Sequence, residues 1–286
     1  MLSRFNSLVA LLFLFSFSSF AQEVDPEEGF NKGRALFQSK EYSLAIQQLK
    51  EAISANPISK NVADARFMIA DSYFQTGNLA DAKIELERVI QEFSDFEEAP
   101  TAWYQLAEVY SRQNNKTTSA ELLLQIASRY PLSDLVPQSL MKSASLYLEI
   151  GKEKDAISVF QQLIRDYPNS DQVVLAQLNL GKLLVRNNDD ERAQSAYQSV
   201  INNPKSSDLQ KISAKIGIAK TYIRLNDAQR ALDLINSISI SDDSDLLPEY
   251  LSLKGKALII SNNWQDGQVC LRKLKHRSVL TTDGIA

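Results

Sequence analysis

The sequence predicts an all-α chain, a solenoid of about seven helix-turn-helix units. Three observations carry that expectation: a small residue returns about every 37 positions, a second small residue follows each at a fixed distance, and turn-forming residues separate the two. The composition agrees. Only 9 Gly and 8 Pro occur in 286 residues, too few for a turn-rich β protein. Charged residues at 23% and hydrophobic residues at 44% describe a folded chain.

The first series is Gly33, Ala70, Ala107, Ala144, Gly181, Ala219 and Gly255, with five members at 37-residue spacing and final steps of 38 and 36. Three residues after each stands a large side chain: Leu36, Tyr73, Tyr110, Tyr147, Leu184, Tyr222 and Leu258. Twelve after each comes a second small residue: Ala45, Ala82, Ser119, Ala156, Ala193, Ala231 and Gly267. Four further on is another large one: Leu49, Leu86, Leu123, Phe160, Tyr197, Ile235 and Leu271. Spacings of three and four put each small–large pair on one face of a helix. Small residues on facing sides let two helix axes approach while large ones interlock around them. A single hairpin cannot bury its apolar face, so neighbours must stack.

The helix ends are also written in the sequence. Gly77-Asn78, Gln113-Asn114-Asn115, Gly151-Lys152, Asn187-Asn188-Asp189, Asn226-Asp227 and Asn262-Asn263 supply the backbone freedom of a turn inside each hairpin. Asn56-Pro57, Tyr130-Pro131, Tyr167-Pro168 and Asn203-Pro204 end the second helices, because Pro cannot continue a helix. Ser59, Ser133, Ser170 and Ser207 follow as expected N-caps of the next helix. Phe93-Ser94-Asp95 stands where the second repeat would carry its Pro.

Trp103, Leu106-Ala107, Tyr110, Ser119, Leu123, Ile126 and Pro131 fall in the order of the tetratricopeptide repeat, as do Leu180-Gly181, Ala193 and Tyr197. The chain resembles that family over residues 26–275, in seven units, with a period of 37 where the family's is usually about 34. The resemblance implies a right-handed α-solenoid whose first helices line a concave binding face. The "YPxS" repeat ends, Tyr130-Pro131-Leu132-Ser133 and Tyr167-Pro168-Asn169-Ser170, resemble those of envelope tetratricopeptide proteins of Gram-negative bacteria. Those proteins include the Tol–Pal coordinator and the lipoprotein that helps assemble outer-membrane β-barrels.

Residues 1–21 read as a secretory signal peptide: Arg4, an apolar run from Leu8 to Phe20, and Ser19-Phe20-Ala21 before a cut. The run is short for a spanning helix, and no later stretch is long enough, so no transmembrane segment is expected after cleavage. Residues 22–25 form a short tail and 276–286 a C-terminal one. That second tail does not read as a polar cap, so either the sequence is cut from a longer protein, or the open end meets a partner, or the last hairpin is itself polar outside. The one cysteine, Cys270, is expected to be a small buried helix residue. With no cysteine near the cleavage site, the expectation is an exported protein, periplasmic or outer-membrane-associated, and not lipid-anchored.

No catalytic set is evident. The one histidine, His276, lies in the basic stretch "LRKLKHRSVL" without partners, and no phosphate loop, metal spacing or Cys–His pair occurs. Asp189-Asp190 and Asp242-Asp243 read as cap and loop residues. A net charge of −4 gives no nucleic-acid signature. The expected function is therefore a non-catalytic scaffold or adaptor in the bacterial envelope that binds proteins or peptides and needs no cofactor. The alternative is a soluble receptor capturing peptides or glycans for uptake.

The candidate binding residues lie at matching places on the first helices: Phe30, Phe67, Tyr104 and Met141 three before the small residue, Phe37 and Phe74 four after it. Two readings are open. They form an apolar groove for a partner, with Phe67 and Tyr104 as anchors, or they pack between adjacent first helices as core. One position after the small residue stand Arg34, Asp71, Glu108, Ser145, Lys182, Lys220 and Lys256. The family's clamp for C-terminal carboxylates wants Lys and Asn at matching concave sites, and Asp71 and Glu108 would repel a carboxylate in the N-terminal half.

Overall fold

The structure, a computed structural model, describes residues 26–282, and side chains over residues 27–275. The expected signal peptide and the tail at 22–25 lie outside them. Among the described residues every regular element is a helix: α1 (Pro26–Gln38), α2 (Tyr42–Ala55), α3 (Val62–Gln75), α4 (Leu79–Glu92), α5 (Ala99–Arg112), α6 (Lys116–Arg129), α7 (Val136–Glu149), α8 (Glu153–Asp166), α9 (Val173–Arg186), α10 (Asp190–Asn202), α11 (Asp208–Arg224), α12 (Ala228–Asn236), α13 (Leu247–Ile260) and α14 (Trp264–Thr282). They form seven hairpins, each with an odd-numbered first helix and an even-numbered second helix. α14 runs past Lys275, the expected end of the repeats, to Thr282. No described helix is long and apolar enough to cross a membrane.

The hairpin turn uses one backbone device seven times. A residue with positive φ stands at Lys40, Gly77, Asn114, Gly151, Asn188, Asn226 and Asn262. The next N–H returns to the first helix, as when Asn78 donates to the Tyr73 carbonyl at 2.9 Å and Lys152 to that of Tyr147 at 2.8 Å. These bonds satisfy carbonyls that the helix end leaves open. At four of the turns the residue after the positive-φ position accepts from the N–H three residues on and so caps the second helix. Asn115 accepts from Thr118 at 3.2 Å, Asp189 from Arg192 at 3.3 Å, Asp227 from Arg230 at 3.1 Å and Asn263 from Asp266 at 3.5 Å. The Arg230 N–H and guanidinium together hold the Asp227 carboxyl below its ordinary range.

The junctions between hairpins account for the long period. The carbonyls of Asn56, Phe93, Tyr130 and Tyr167 accept from Ser59, Phe96, Ser133 and Ser170. The carbonyls of those four accept in turn from Val62, Ala99, Val136 and Val173, all at 2.9–3.3 Å. Each junction is thus two tight turns in series, and the three added residues are the second of them. This corrects the expected role of Ser59, Ser133 and Ser170. They do not cap the α-helix; each Oγ accepts from the N–H two residues on (Asn61, Leu135 and Gln172, at 3.1, 3.3 and 3.1 Å) and braces the turn before it. Ser207 is the expected N-cap, in a reciprocal capping box with Gln210.

The described residues form two compact units that divide between residues 122 and 123. In the first, Phe30, Leu49, Val62, Met68 and Ile69 form one core cluster, and Ala70, Leu86, Val89, Leu106 and Val109 form another. Each fully buried side chain of this size contributes about 1.5–3 kcal/mol. Arg34 Nη2 donates to Asp64 Oδ2 at 2.6 Å and Gln105 Nε2 to Asp71 Oδ1 at 2.9 Å, tying α1 to α3 and α3 to α5. Between α3 and α4 the Glu85 carboxylate, with 9% of its side chain exposed, meets Arg66 at 3.1 Å and Arg88 at 2.9 Å.

In the second unit, one core joins Ile216, Ala219, Ala231, Ile235, Leu247 and Leu253. Arginines in the last turns of first helices reach back to the preceding hairpin: Arg186 to Glu153 at 2.5 Å, and Arg224 to the Val185 carbonyl at 2.9 Å and to Asn188 and Asp190. Cys270 is half-buried rather than enclosed. It lines a cavity of about 540 Å³ with Tyr250, Lys254 and Lys273.

Candidate functional site

The spacing rule that builds the hairpins also determines where the inner face opens. At three of the first small positions the residue is Gly, and in each case the large residue sixteen later fills the space of the missing methyl. A Cβ on Gly33 would lie 2.5 Å from Leu49, one on Gly181 2.6 Å from Tyr197, and one on Gly255 3.0 Å from Leu271. Tyr197 has a second contact of the same kind. Its ring also occupies the place of a side chain at Gly217, on the first helix of the next hairpin. A tyrosine of α10 is therefore wedged between α9 and α11, the first helices of successive hairpins.

Tyr197 is 3% exposed and lines a cavity of about 310 Å³ with Lys182, Val185, Arg186, Ser213, Gly217, Lys220 and Glu249. Burial, and next the charge of Glu249, push its phenol well above the ordinary tyrosine range. Lys220 meets Glu249 at 3.9 Å. Lys182, exposed on the surface, has no hydrogen-bond or ion-pair partner among the described residues. A second cavity of about 580 Å³ shares Ser213 and Leu178's helix with the first, and is lined by Leu178, Leu209, Leu246, Asp243 and Asp245. Leu209 is 60% exposed there. α9 and α11 thus carry a groove whose basic end is bounded by α13, with Arg186 and Lys220 paired to Glu153 and Glu249, and whose apolar, acid-rimmed end is bounded by the junction at residues 241–246.

The residues expected to form an apolar groove are placed differently. Phe30, Phe74 and Met141 are 1%, 9% and 9% exposed, so they are core and offer no surface to a ligand. Phe37 is half-buried, edge-on to Tyr42 at 6.0 Å between ring centroids, and Phe67 is half-buried, edge-on to Phe96 at 6.1 Å. Arg112 lies 4.0 Å over the Phe74 ring. Tyr104 is half-exposed. Core packing explains Phe30, Phe74 and Met141, while Phe37, Phe67 and Tyr104 are each partly exposed. The groove beside Tyr197 escaped the sequence reading. Its one available signal was Gly217, a helix-interior glycine outside the repeat series.

Seven successive helical hairpins with small residues at the helix crossings define the tetratricopeptide-repeat fold class. The model of the tetratricopeptide repeat-like domain matches residues 137–269. The YfiO outer membrane lipoprotein model matches residues 22–183, more than half of the sequence, and the chain belongs to that family. No curated protein matches it. Among solved structures, a tetratricopeptide repeat protein from Parabacteroides merdae is similar at 16% identity and TM-score 0.50, over 88% of this chain and 92% of that one. A chain of the Naa15/Naa10 complex bound to HypK-THB is similar at 15% identity and TM-score 0.58, over 88% of this chain and 37% of that one. The tetratricopeptide-repeat sensor protein of the signal-transduction ATPase class from Pyrococcus horikoshii is similar at 17% identity and TM-score 0.56, over 89% and 42%. At these identities the likeness is one of fold.

Family membership overturns one expectation. The protein was expected to be exported without a lipid anchor, because no cysteine stands near the predicted cleavage site. The family is one of outer membrane lipoproteins, which implies an anchor. A missing attachment residue in the leader was too narrow a ground, since it tests one attachment chemistry and not the membership that the repeats themselves establish. An envelope location agrees with the family.

Proposed function

We propose that this protein is a non-catalytic interaction scaffold of the bacterial envelope, working at the periplasmic face of the outer membrane and holding partner proteins on the face lined by its first helices. One observation carries the reading: a cavity of about 310 Å³ opens among the first helices α9, α11 and α13 beside Tyr197, and a second of about 580 Å³ adjoins it between α9, α11 and the junction at residues 241–246. Stacked hairpins offer such faces for extended contact with other chains. In residues 1–122 the half-exposed Tyr104 and the Asp71–Gln105 pair occupy the matching face.

The test uses the chain from Gln22 onward as bait on envelope extract, beside Tyr104→Glu and Leu209→Glu baits whose helicity is checked by circular dichroism. Both side chains reach solvent, so both variants should fold. The reading expects a defined partner set that one folded variant loses. Retention of every partner by both variants would remove the first-helix face from consideration, and failure of the wild type to capture any would remove the scaffold role.

A further inference from the structure

We infer that the cavity between α13, α14 and the segment that follows α12 binds a small organic phosphate, its phosphate group held between Lys254 and Lys273. The site is separate from the scaffold reading and does not depend on it. None of the residues lining this cavity lines either cavity of the first-helix face.

One departure in the repeat creates the cavity. α12 has nine residues, where every other second helix has thirteen or more. The chain then takes ten residues, 237–246, to reach α13, where each earlier junction takes five or six. The sequence accounts for the early stop. Ser237-Ile238-Ser239-Ile240-Ser241 alternates serine with a β-branched residue, a period of two that suits extended chain and not helix. Ile238 is buried in one core with Leu247 and Tyr250, and Ile240 packs against it, so the segment is pinned over α13. α14 is thus left without a full-length neighbour in the preceding hairpin, and the space that remains is the cavity of about 540 Å³.

Two cations face that space from different helices. Lys254 of α13 donates to Tyr250 Oη at 3.4 Å, and its Nζ lies 5.7 Å from the centroid of that ring. Neither contact neutralises its charge. Lys273 of α14 has no hydrogen-bond or ion-pair partner among the described residues, and neither lysine has a carboxylate partner there. Asp242 lines the loop side of the cavity, so an anion is drawn toward the helix side. A phosphate monoester matches two ammonium groups better than a single carboxylate does. Near pH 7 it carries about −1.5 to −2 charges and three acceptor oxygens, and lysine serves it as a point charge from either side. Ser239 and Cys270 add polar lining, and Leu251 and Val269 add an apolar shoulder for the organic part of the ligand. Two sources share this chemistry, a soluble phosphomonoester and the headgroup of a lysophospholipid.

Cys270 is the one cysteine of the chain and lines the cavity, so its alkylation by iodoacetamide reports occupancy in the purified full chain. Glycerol 3-phosphate or monomeric lysophosphatidic acid, at about ten times its dissociation constant, should slow alkylation about tenfold. Glycerol, and sodium chloride at matched ionic strength, should not. Isothermal titration calorimetry supplies the dissociation constants without relying on the thiol. Lys254→Gln and Lys273→Gln keep the side-chain stem and remove the charge; each should weaken binding at least about tenfold, the size of one charged hydrogen bond. Binding of glycerol 3-phosphate supports a soluble ligand, and binding of lysophosphatidic acid alone supports a lipid headgroup. Absence of both heat and protection with either phosphate would overturn the inference. So would wild-type affinity in both variants, or protection by sodium sulfate equal to that by the phosphates. Phosphate binding without envelope capture would remove the scaffold reading and leave this site standing.

Discussion

A methyl group on Gly181 would stand 2.6 Å from Cε1 of Tyr197, and Gly217 comes closer still to the same ring. The two glycines and the tyrosine are therefore one packing unit. Gly217→Ala should destabilise residues 123–286 by about 1–3 kcal/mol, because overpacking outweighs the helix propensity that Ala adds. Gly217→Ala with Tyr197→Leu should cost less than the two single changes summed. Urea unfolding of the four proteins checks the cycle; strict additivity would show that the ring and the glycine are not in contact.

Tyr197 also gives a pH dependence. Its folded-state pKa is raised, first by burial and then by the Glu249 charge, above the ordinary value of 10.0. The folded state therefore holds the proton more tightly than the unfolded state does. The stability this brings is fully present below pH 10 and is lost progressively as pH rises above it. Thermal melting between pH 8 and 11 should show a decline that Tyr197→Phe makes shallower. Equal slopes for the two proteins would mean that the phenol is not buried as described.

Glu85 is the buried acid of the first unit. Glu85→Ala would leave Arg66, whose side chain is 21% exposed, with only the longer Glu92 contact at 3.9 Å. The expected loss is about 3 kcal/mol, at the low end for breaking a buried pair because Arg66 keeps some solvent. Arg66→Met with Glu85→Leu should restore most of it. Chemical denaturation distinguishes this from a surface pair, whose removal costs about 0–1 kcal/mol.

Lys40 has φ +61°, a conformation that costs a residue with a Cβ about 1–2 kcal/mol. Lys40→Gly should therefore raise stability by about 1 kcal/mol, read as an upward shift of the melting temperature. The same change at Ile58, which lies 93% exposed in a junction, should not.

Lys40 marks the limit of what could be read from the sequence. The other six hairpin turns announce themselves through Gly or Asn, because those residues enter the left-handed region at low cost. Lysine carries no such signal, and at the first turn its conformation is dictated by the two helices it joins. The helix crossings were legible for a firmer reason. A small residue is required wherever two axes approach, so Gly33, Gly181 and Gly255 and their partners sixteen residues later are fixed by contact itself. Aromatic side chains do not declare which way they face. Phe30 and Tyr104 share one register, yet the first is enclosed and the second reaches solvent. The groove did not show, because it depends on Gly217 and Tyr197 meeting across two hairpins.

The paired turns between hairpins have a genetic consequence. Each closes its own backbone hydrogen bonds within a few residues, so a recombination point placed there would leave both flanking helices intact and in phase. Whole hairpins can then be gained or lost by duplication and excision of a 111-nucleotide cassette, three nucleotides for each of the 37 residues between successive small positions. The steps of 38 and 36 near the C-terminal end break that length. They lie beside the one junction built on a capping box, where Ser207 replaces the second turn. The hairpins that carry the groove have thus left the common register, and exchange with their neighbours would no longer be silent.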